Sequence, residues 1–467
     1  MKGPAMQNAP YVSSGQASRR EFLKRSSALS LAGIAAPWAL NLAAMGEAAA
    51  QSAGDYKALV CVFLYGGNDW ANTVVPYDTA SHDLYRGFRS NVAIDRATLA
   101  ATALNPTVPL EGGRQFALAP SLAPLLPVFD AGQLSVLLNV GTLVAPVTKA
   151  QYQARSVPLP PKLFSHNDQQ SFWQACSAEG APAGWGGRIG DLFASGNGNS
   201  TFTCISTTGN TVFLSGESAV QYQVTTGGAI AVRGIRQPLF GSAACSQALQ
   251  QLITAPRAHV FESEYTRVAN RSLAANDAVT SALAATPPAT VFPGGGLSDQ
   301  LRLVARLIAA RSTLGARRQV FFVSAGGYDN HDSLNTTHPN LLSALGRSLA
   351  AFQASLTELG VAQQVTTFTA SDFGRTLVSN DNGSDHGWGS MQFVMGGAVR
   401  GRSFVGRAPV IADNGPDDVG QGRLLPTTSV EQLGATLAGW FGVSPTDQLA
   451  VMPHVANFTQ RNLGLFA

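Results

Sequence analysis

Charge is scarce in this sequence. Only 13% of its 467 residues are Asp, Glu, Lys or Arg, about half the share usual in globular chains. The surface must therefore rely on Ser, Thr, Asn, Gln and Gly. Cysteine is scarce too: four residues cannot staple a disulfide-built scaffold. Cys61 lies in the apolar run Ala58-Leu59-Val60-Cys61-Val62-Phe63-Leu64 and reads as a buried thiol. Cys176, Cys204 and Cys245 are candidates for one disulfide in an oxidising compartment. Beyond the first fifty residues no run is long and apolar enough for a convincing membrane span. There is no fixed-period repeat and no low-complexity tail, which excludes solenoid and fibrous architectures. A formal net charge of +3 is too thin for a nucleic-acid-binding surface. What is present is core material: 45% of the residues are hydrophobic, enough for a large packed domain.

The small positive charge has a local origin. Arg19-Arg20-Glu21-Phe22-Leu23-Lys24 precedes an Ala-rich apolar stretch over residues 27–44, broken by Pro37 and Asn41, and then Ala48-Ala49-Ala50. That order is a twin-arginine export signal with a small-residue cleavage site, so residues 1–50 are expected to be a signal peptide and the protein periplasmic or secreted. These fifty residues hold five basic side chains and two acidic ones, which leaves 26 of each in residues 51–467. The basic balance is therefore an address and says nothing about partners.

Residues 57–65 form a continuous apolar run closed by Gly66-Gly67-Asn68-Asp69, the pattern of a strand buried on both faces. Residues 134–141 repeat it, and shorter strands are expected at 201–206 and 211–214. A helical stretch is expected over 246–284 and another over 297–314. An alternation follows: a strand at 319–324 ending in Gly326-Gly327-Tyr328-Asp329, a helix over 340–359, a strand at 364–369 ending in Ser371-Asp372, a strand at 392–395, and a helix over 430–440. Strands alternating with helices predict an α/β fold with a central, mostly parallel sheet. Residues 51–467 read as one domain, with a cap or insertion expected within 150–290.

Three strands thus deliver a carboxylate: Asp69, Asp329 and Asp372. Open α/β sheets bind ligands beyond the carboxyl ends of their strands, so the three acids are expected to converge. His331 and His386 accompany them. Hard oxygen ligands with imidazoles suit zinc, calcium, magnesium or manganese. Ser165, in Phe164-Ser165-His166-Asn167-Asp168, is the candidate nucleophile, with Thr73 as a second hydroxyl. Asn72 is positioned to orient an anion, and Arg375 is a candidate oxyanion clamp, since a guanidinium fits phosphate or sulfate bidentately. Each acid also has an ordinary reading, as a turn residue after Gly-Gly or as a helix cap.

These motifs, in order, resemble the exported bacterial family called domain of unknown function 1501. They are Leu64-Tyr65-Gly66-Gly67-Asn68-Asp69 with Asn72-Thr73-Val74-Val75-Pro76, Leu163-Phe164-Ser165-His166-Asn167-Asp168-Gln169, Gly327-Tyr328-Asp329-Asn330-His331, Ser371-Asp372-Phe373-Gly374-Arg375-Thr376 and Asp385-His386-Gly387. That family is remotely similar to the alkaline phosphatase and sulfatase superfamily. The resemblance implies an alkaline-phosphatase-like sandwich, with Asp69 as first metal ligand and Ser165 as nucleophile. Asp329, His331, Asp372 and His386 complete the implied ligand set. The chain departs from the superfamily pattern in the two-residue spacing of Asp329 and His331 and in Phe373, which follows Asp372 where the pattern has His. One metal, a remodelled site and loss of catalysis all remain open at this point.

The expected function is an exported metal-dependent hydrolase of phosphate or sulfate esters. Its partners would be an anionic ester and a co-exported protein, with no nucleic acid. The alternative is a non-catalytic periplasmic binding or envelope-assembly protein on an inherited hydrolase fold. A lyase or mutase on the same fold is a third, weaker reading.

Overall fold

A computed structural model describes residues 56–466 with the exception of residue 286; the expected signal peptide lies outside the described residues. The strands are β1 (Lys57–Leu64), β2 (Val74–Pro76), β3 (Phe116–Leu118), β4 (Leu134–Gly141), β5 (Cys204–Ser206), β6 (Tyr222–Thr225), β7 (Gly228–Ala229), β8 (Arg318–Ala325), β9 (Val365–Ser371), β10 (Arg375–Ser379), β11 (Ser384–His386), β12 (Ser390–Met395), β13 (Ser403–Val405) and β14 (Thr428–Ser429). The main helices are α1 (Thr79–Phe88), α2 (His166–Ala175), α3 (Trp185–Phe193), α4 (Ala243–Thr254), α5 (Val260–Leu283), α6 (Gly296–Ala309), α7 (Leu334–Glu358) and α8 (Val430–Phe441).

One ten-stranded sheet runs in the order β13-β4-β12-β9-β1-β8-β5-β6-β7, with β14 also on β4. It is mixed and mostly parallel. β1 pairs in parallel with β8 and β9, β5 with β8 and β6, and β4 with β13 and β14. The antiparallel members are β12, set between β4 and β9, and the terminal β7. The α/β expectation therefore holds, with helices on both faces. Strands β5–β7, from within residues 150–290, extend this same sheet.

The central strands are apolar throughout because both of their faces are covered. Ala58, Val60, Val62 and Leu64 of β1 join one core cluster with α6 and α7, while Leu59, Cys61 and Phe63 join the other with α3 and α8. The two-residue period of a strand divides these side chains between faces. Each fully buried Leu, Val or Phe contributes about 1.5–3 kcal/mol by leaving water.

Several local expectations need correction. Residues 212–214 form a 3-10 turn in place of a strand. Helix α7 starts at Leu334, earlier than its apolar pattern suggests, with Pro339 in its first turns. Pro339 is the sixth residue of the helix and has no N–H to give the Asn335 carbonyl, so the helix forgoes one bond there. All four cysteines are free, with Cys61, Cys176 and Cys204 buried and Cys245 exposed. The expected disulfide is therefore not formed. Cys176 lies against the Met452 sulfur at 3.6 Å instead. No described helix is long and apolar enough to cross a membrane.

The sheet puts β9, β1 and β8 side by side, so their carboxyl ends emerge together. Gly66 makes the close approach possible. Its φ is +116°, and a Cβ there would sit 2.4 Å from the backbone nitrogen of Asp329. Both facts demand glycine. Gly66→Ala is expected to lower the unfolding free energy by more than about 2 kcal/mol in urea titration. A change under about 0.5 kcal/mol, the range of ordinary surface substitutions, would contradict this close-packing account.

Candidate functional site

Asp329, four residues beyond β8, is the centre of the site. Its Oδ1 accepts from Arg375 Nη1 at 2.6 Å. The same oxygen lies 3.1 Å from His331 Nε2 and 3.4 Å from His386 Nε2. Its Oδ2 lies 3.4 Å from Nε2 of His166, the first residue of α2. The Asp329 side chain is 44% exposed, whereas that of Arg375 is fully buried. Three imidazoles from three segments therefore aim the same nitrogen at one solvent-reachable carboxylate.

Each ring is held from behind through its other nitrogen. His166 Nδ1 lies 2.6 Å from Asp372 Oδ2, which also accepts from Gln170 Nε2 at 2.8 Å. His331 Nδ1 lies 3.1 Å from Asp385 Oδ1, which accepts from Asn380 Nδ2 at 2.9 Å. His386 Nδ1 donates to the Phe164 carbonyl at 2.8 Å. A carbonyl only accepts, so the proton of neutral His386 is on Nδ1 and its Nε2 carries a bare lone pair. The backbone that presents this carbonyl is left-handed at Phe164, with φ +72°, a conformation costly for a bulky residue. Phe373 packs against the rings of both His166 and His386, at 4.9 and 4.7 Å between centroids, and those two rings meet each other at 4.4 Å. Gly67 leaves room for it, since a Cβ there would lie 2.4 Å from the Phe373 ring.

The electrostatics follow from these contacts. The hydrogen bond to Asp372 pushes His166 above the usual histidine range, against the effect of burial. Burial pushes His386 below it, and Arg375 and His166 act the same way. Burial alone would raise the Asp329 carboxyl, but the hydrogen bond and charge of Arg375, with His331 and His166, hold it below the usual carboxylate range.

His331 Nε2 and His386 Nε2 are only 2.9 Å apart. If His331 donates through Nδ1 to Asp385, two lone pairs face each other, and a proton or a metal cation must lie between them. Metal–imidazole bonds of about 2.0–2.1 Å put adjacent ligand atoms about 2.9–3.4 Å apart, the range of the 2.9, 3.1 and 3.4 Å separations around Asp329. His166, Asp329 and His386 each offer a ligand atom within 4.8 Å of the other two. Imidazoles held by carboxylates and a carbonyl are the usual second layer of a metal centre. The donor set therefore fits a divalent metal.

The expected residues do not all join. Asp329, His331 and His386 converge. Asp372 stands behind His166, and its Oδ1 is buried without a hydrogen-bond partner. Asp69 is fully buried and engaged elsewhere. Its Oδ2 accepts from Arg89 Nη2 and Ser384 Oγ, both at 2.6 Å, and its Oδ1 accepts from the Asn72 N–H at 3.0 Å. With both oxygens committed to the chain, Asp69 braces the strand ends instead of serving as a ligand. Asn72 bonds to Val92 and Tyr85, and Thr73 Oγ1 donates to the Asp69 carbonyl. Ser165 Oγ donates to Asp168 Oδ2 at 3.1 Å, away from the imidazoles. Arg375 cannot clamp a substrate oxyanion, because Nη1 serves Gly66 O and Asp329 while Nη2 serves the Ser384 carbonyl. Sequence reasoning missed His166, Gln170 and Asp385 as members. His166 and Asp385 sit inside motifs already singled out, beside the residues chosen from them. A further cation, Arg423, lies beside the site. It lies over the Phe164 ring at 4.9 Å, donates Nε to the His386 carbonyl, and its Nη2 makes no hydrogen bond among the described residues.

This fold and this cluster define an α/β protein with a candidate metal centre at its strand ends. The chain belongs to the family described as protein of unknown function (DUF1501), whose model matches residues 56–450. No curated protein matches it. Among solved structures it is similar to Ps i-CgsB in complex with k-i-k-neocarrahexaose, at 12% identity and TM-score 0.35, over 86% of this chain and 77% of that one. The lipoteichoic acid synthase LtaP from Listeria monocytogenes is similar at 8% identity and TM-score 0.34, over 87% and 77%. BT1596, a 2-O GAG sulfatase, is similar at 8% and 0.33, over 84% and 72%.

Beneath the site His338 is fully buried, with Nε2 at 2.9 Å from Asn68 Oδ1. Burial, with the charges of Arg89 and Arg375, pushes it down to about 4 against the Asp69 attraction. The folded state then binds this proton more weakly than the unfolded chain. Stability present above about pH 6.5 is lost as pH falls towards 4, by on the order of 3 kcal/mol. His338→Gln is expected to flatten that slope in urea titrations at pH 7.5 and 5. An identical slope in the variant would contradict it.

Proposed function

We propose that this protein is an exported, metal-dependent hydrolase of phosphate or sulfate esters, acting through a single metal held by His166, Asp329, His331 and His386. One observation carries the reading: three imidazoles, each anchored through Nδ1, present Nε2 to one carboxylate. Three nitrogens and one carboxylate favour zinc or manganese over calcium or magnesium, which prefer all-oxygen shells. Such a metal supplies Lewis-acid polarisation of an ester oxygen and acidifies water.

The chain's own residues supply the rest. Asp372, Asp385 and the Phe164 carbonyl fix the three ring orientations, and Arg375 fixes Asp329. With Ser165 turned to Asp168, the attacking oxygen is drawn from solvent, which reaches the half-exposed Asp329 and His331. Arg423 faces the anionic part of the ester and pairs with it through the unengaged Nη2. The N-terminal twin-arginine pattern supports export of the folded protein.

Purified protein dialysed against zinc or manganese is expected to retain one metal per chain and to hydrolyse an aryl phosphate or aryl sulfate. His386→Ala is expected to lose both. Arg423→Ala is expected to keep the metal and to raise KM for the anionic ester about tenfold or more. Metal retained without turnover would move the protein to the binding-protein reading. Turnover untouched by His386→Ala would end the metal-dependent one.

A further inference from the structure

The buried His338, in the first turns of α7, has one ring nitrogen to spare. A chain of hydrogen bonds fixes its tautomer. Thr73 Oγ1 donates its proton to the Asp69 carbonyl at 2.6 Å. That hydroxyl can therefore only accept from Asn68, whose Nδ2 reaches it at 2.9 Å. The amide so oriented turns its Oδ1 towards His338 Nε2, 2.9 Å away. An amide oxygen only accepts, so Nε2 carries the proton and Nδ1 a bare lone pair. Burial holds the ring's pKa at about 4, so it is neutral at pH 7. Nδ1 has no hydrogen-bond partner among the described residues. The polar atoms that are both unpartnered and sealed from solvent do not include it, so a small molecule can reach it.

His338 lines a cavity of about 320 Å³ between α7 and the segments 93–94 and 119–121. Ala93, Ile94, Ala119, Leu334 and Leu342 wall it, and its lining holds no charged side chain. The amides in the lining are engaged elsewhere, Asn72 with Val92 O and Tyr85, and Asn335 Nδ2 with Asn91 O. An apolar cavity of about 150 Å³ takes benzene, so this one has room for a substituted ring. Apolar walls, no charge and one unfilled buried acceptor suit a neutral, mostly apolar molecule with a single O–H donor. A buried lone pair without a donor is costly, and such a hydroxyl relieves that cost.

We propose that this cavity binds a small neutral phenol, whose O–H donates to His338 Nδ1. None of the lining residues belongs to the strand-end cluster, so the proposal does not depend on activity there. p-Cresol and p-xylene share a shape and differ in one hydroxyl. Calorimetric titration of the protein is expected to find one p-cresol site, with p-xylene bound about tenfold or more weakly. Nitrogen NMR of histidine-labelled protein is expected to show the His338 Nδ1 resonance moving upfield with p-cresol and not with p-xylene. The signal missing from His338→Gln identifies that resonance. Ala93→Leu, at a half-buried position, is expected to fill the cavity and abolish binding with unchanged circular dichroism. The wild-type comparison of the two ligands needs neither variant to fold. Equal affinity for the two ligands, p-cresol bound without a response from His338, or binding unchanged in Ala93→Leu overturns the proposal. So does the absence of binding at millimolar p-cresol, which would leave the cavity to water.

Discussion

A buried guanidinium holds the strand ends together. Arg375 is wholly removed from water, so its charge must be matched by oriented oxygens. It bonds to Gly66 O beyond β1, to Asp329 beyond β8 and to Ser384 O at the start of β11. The Trp70 indole N–H in turn donates to the Arg375 carbonyl at 2.8 Å. Asp69 and Arg89 form a second buried pair alongside it, with Arg89 reaching the carbonyls of Thr376 and Leu377 in β10. Removing one partner of either pair strands a charge in a dry place, so the arrangement is all or nothing. Asp329 is fixed by this framework and the imidazoles gather around Asp329. The site is thus a consequence of how three strand ends are tied.

Division of labour among similar residues follows from depth. Asp69, Asp329 and Asp372 all emerge from adjacent central strands, yet they end in different roles. Asp69 is sealed under Arg89 and Ser384 and acts as a brace. Asp372 is sealed under α2 and orients His166. Of the three, Asp329 alone keeps a large share of its side chain open to solvent and so within reach of a ligand from outside. Arg375 and Arg423 differ in the same way, one buried in the framework and one half-buried beside Phe164 and His386.

Much of the fold was legible because the sheet's centre is buried on both faces. Strands of that kind read as unbroken apolar runs, and the runs at 57–65, 134–141 and 319–324 correspond to β1, β4 and β8. The short β10–β11 hairpin was not legible, since Arg375 and Ser384 are polar residues buried by specific partners and carry no periodic signal. Within the site, strand-end acids and the histidines of Gly327-Tyr328-Asp329-Asn330-His331 and Asp385-His386-Gly387 could be picked out by type and position. The choice between Ser165 and His166 could not. Adjacent residues at a helix start point in different directions, and which one faces the site depends on how α2 docks. Its docking also rests on the left-handed turn at Phe164, which sequence pattern does not announce.

The central claim is that three Nε2 atoms and the Asp329 carboxylate form one metal shell. The most direct measurement is an anomalous-scattering map from crystals of the zinc-loaded protein. The account predicts a single peak within bonding distance of His166, His331 and His386 Nε2 and of Asp329, with Asp69 and Ser165 outside the shell. A peak bound by Asp69 or Ser165, or an ordered structure with no peak and a shared proton between His331 and His386, would contradict it.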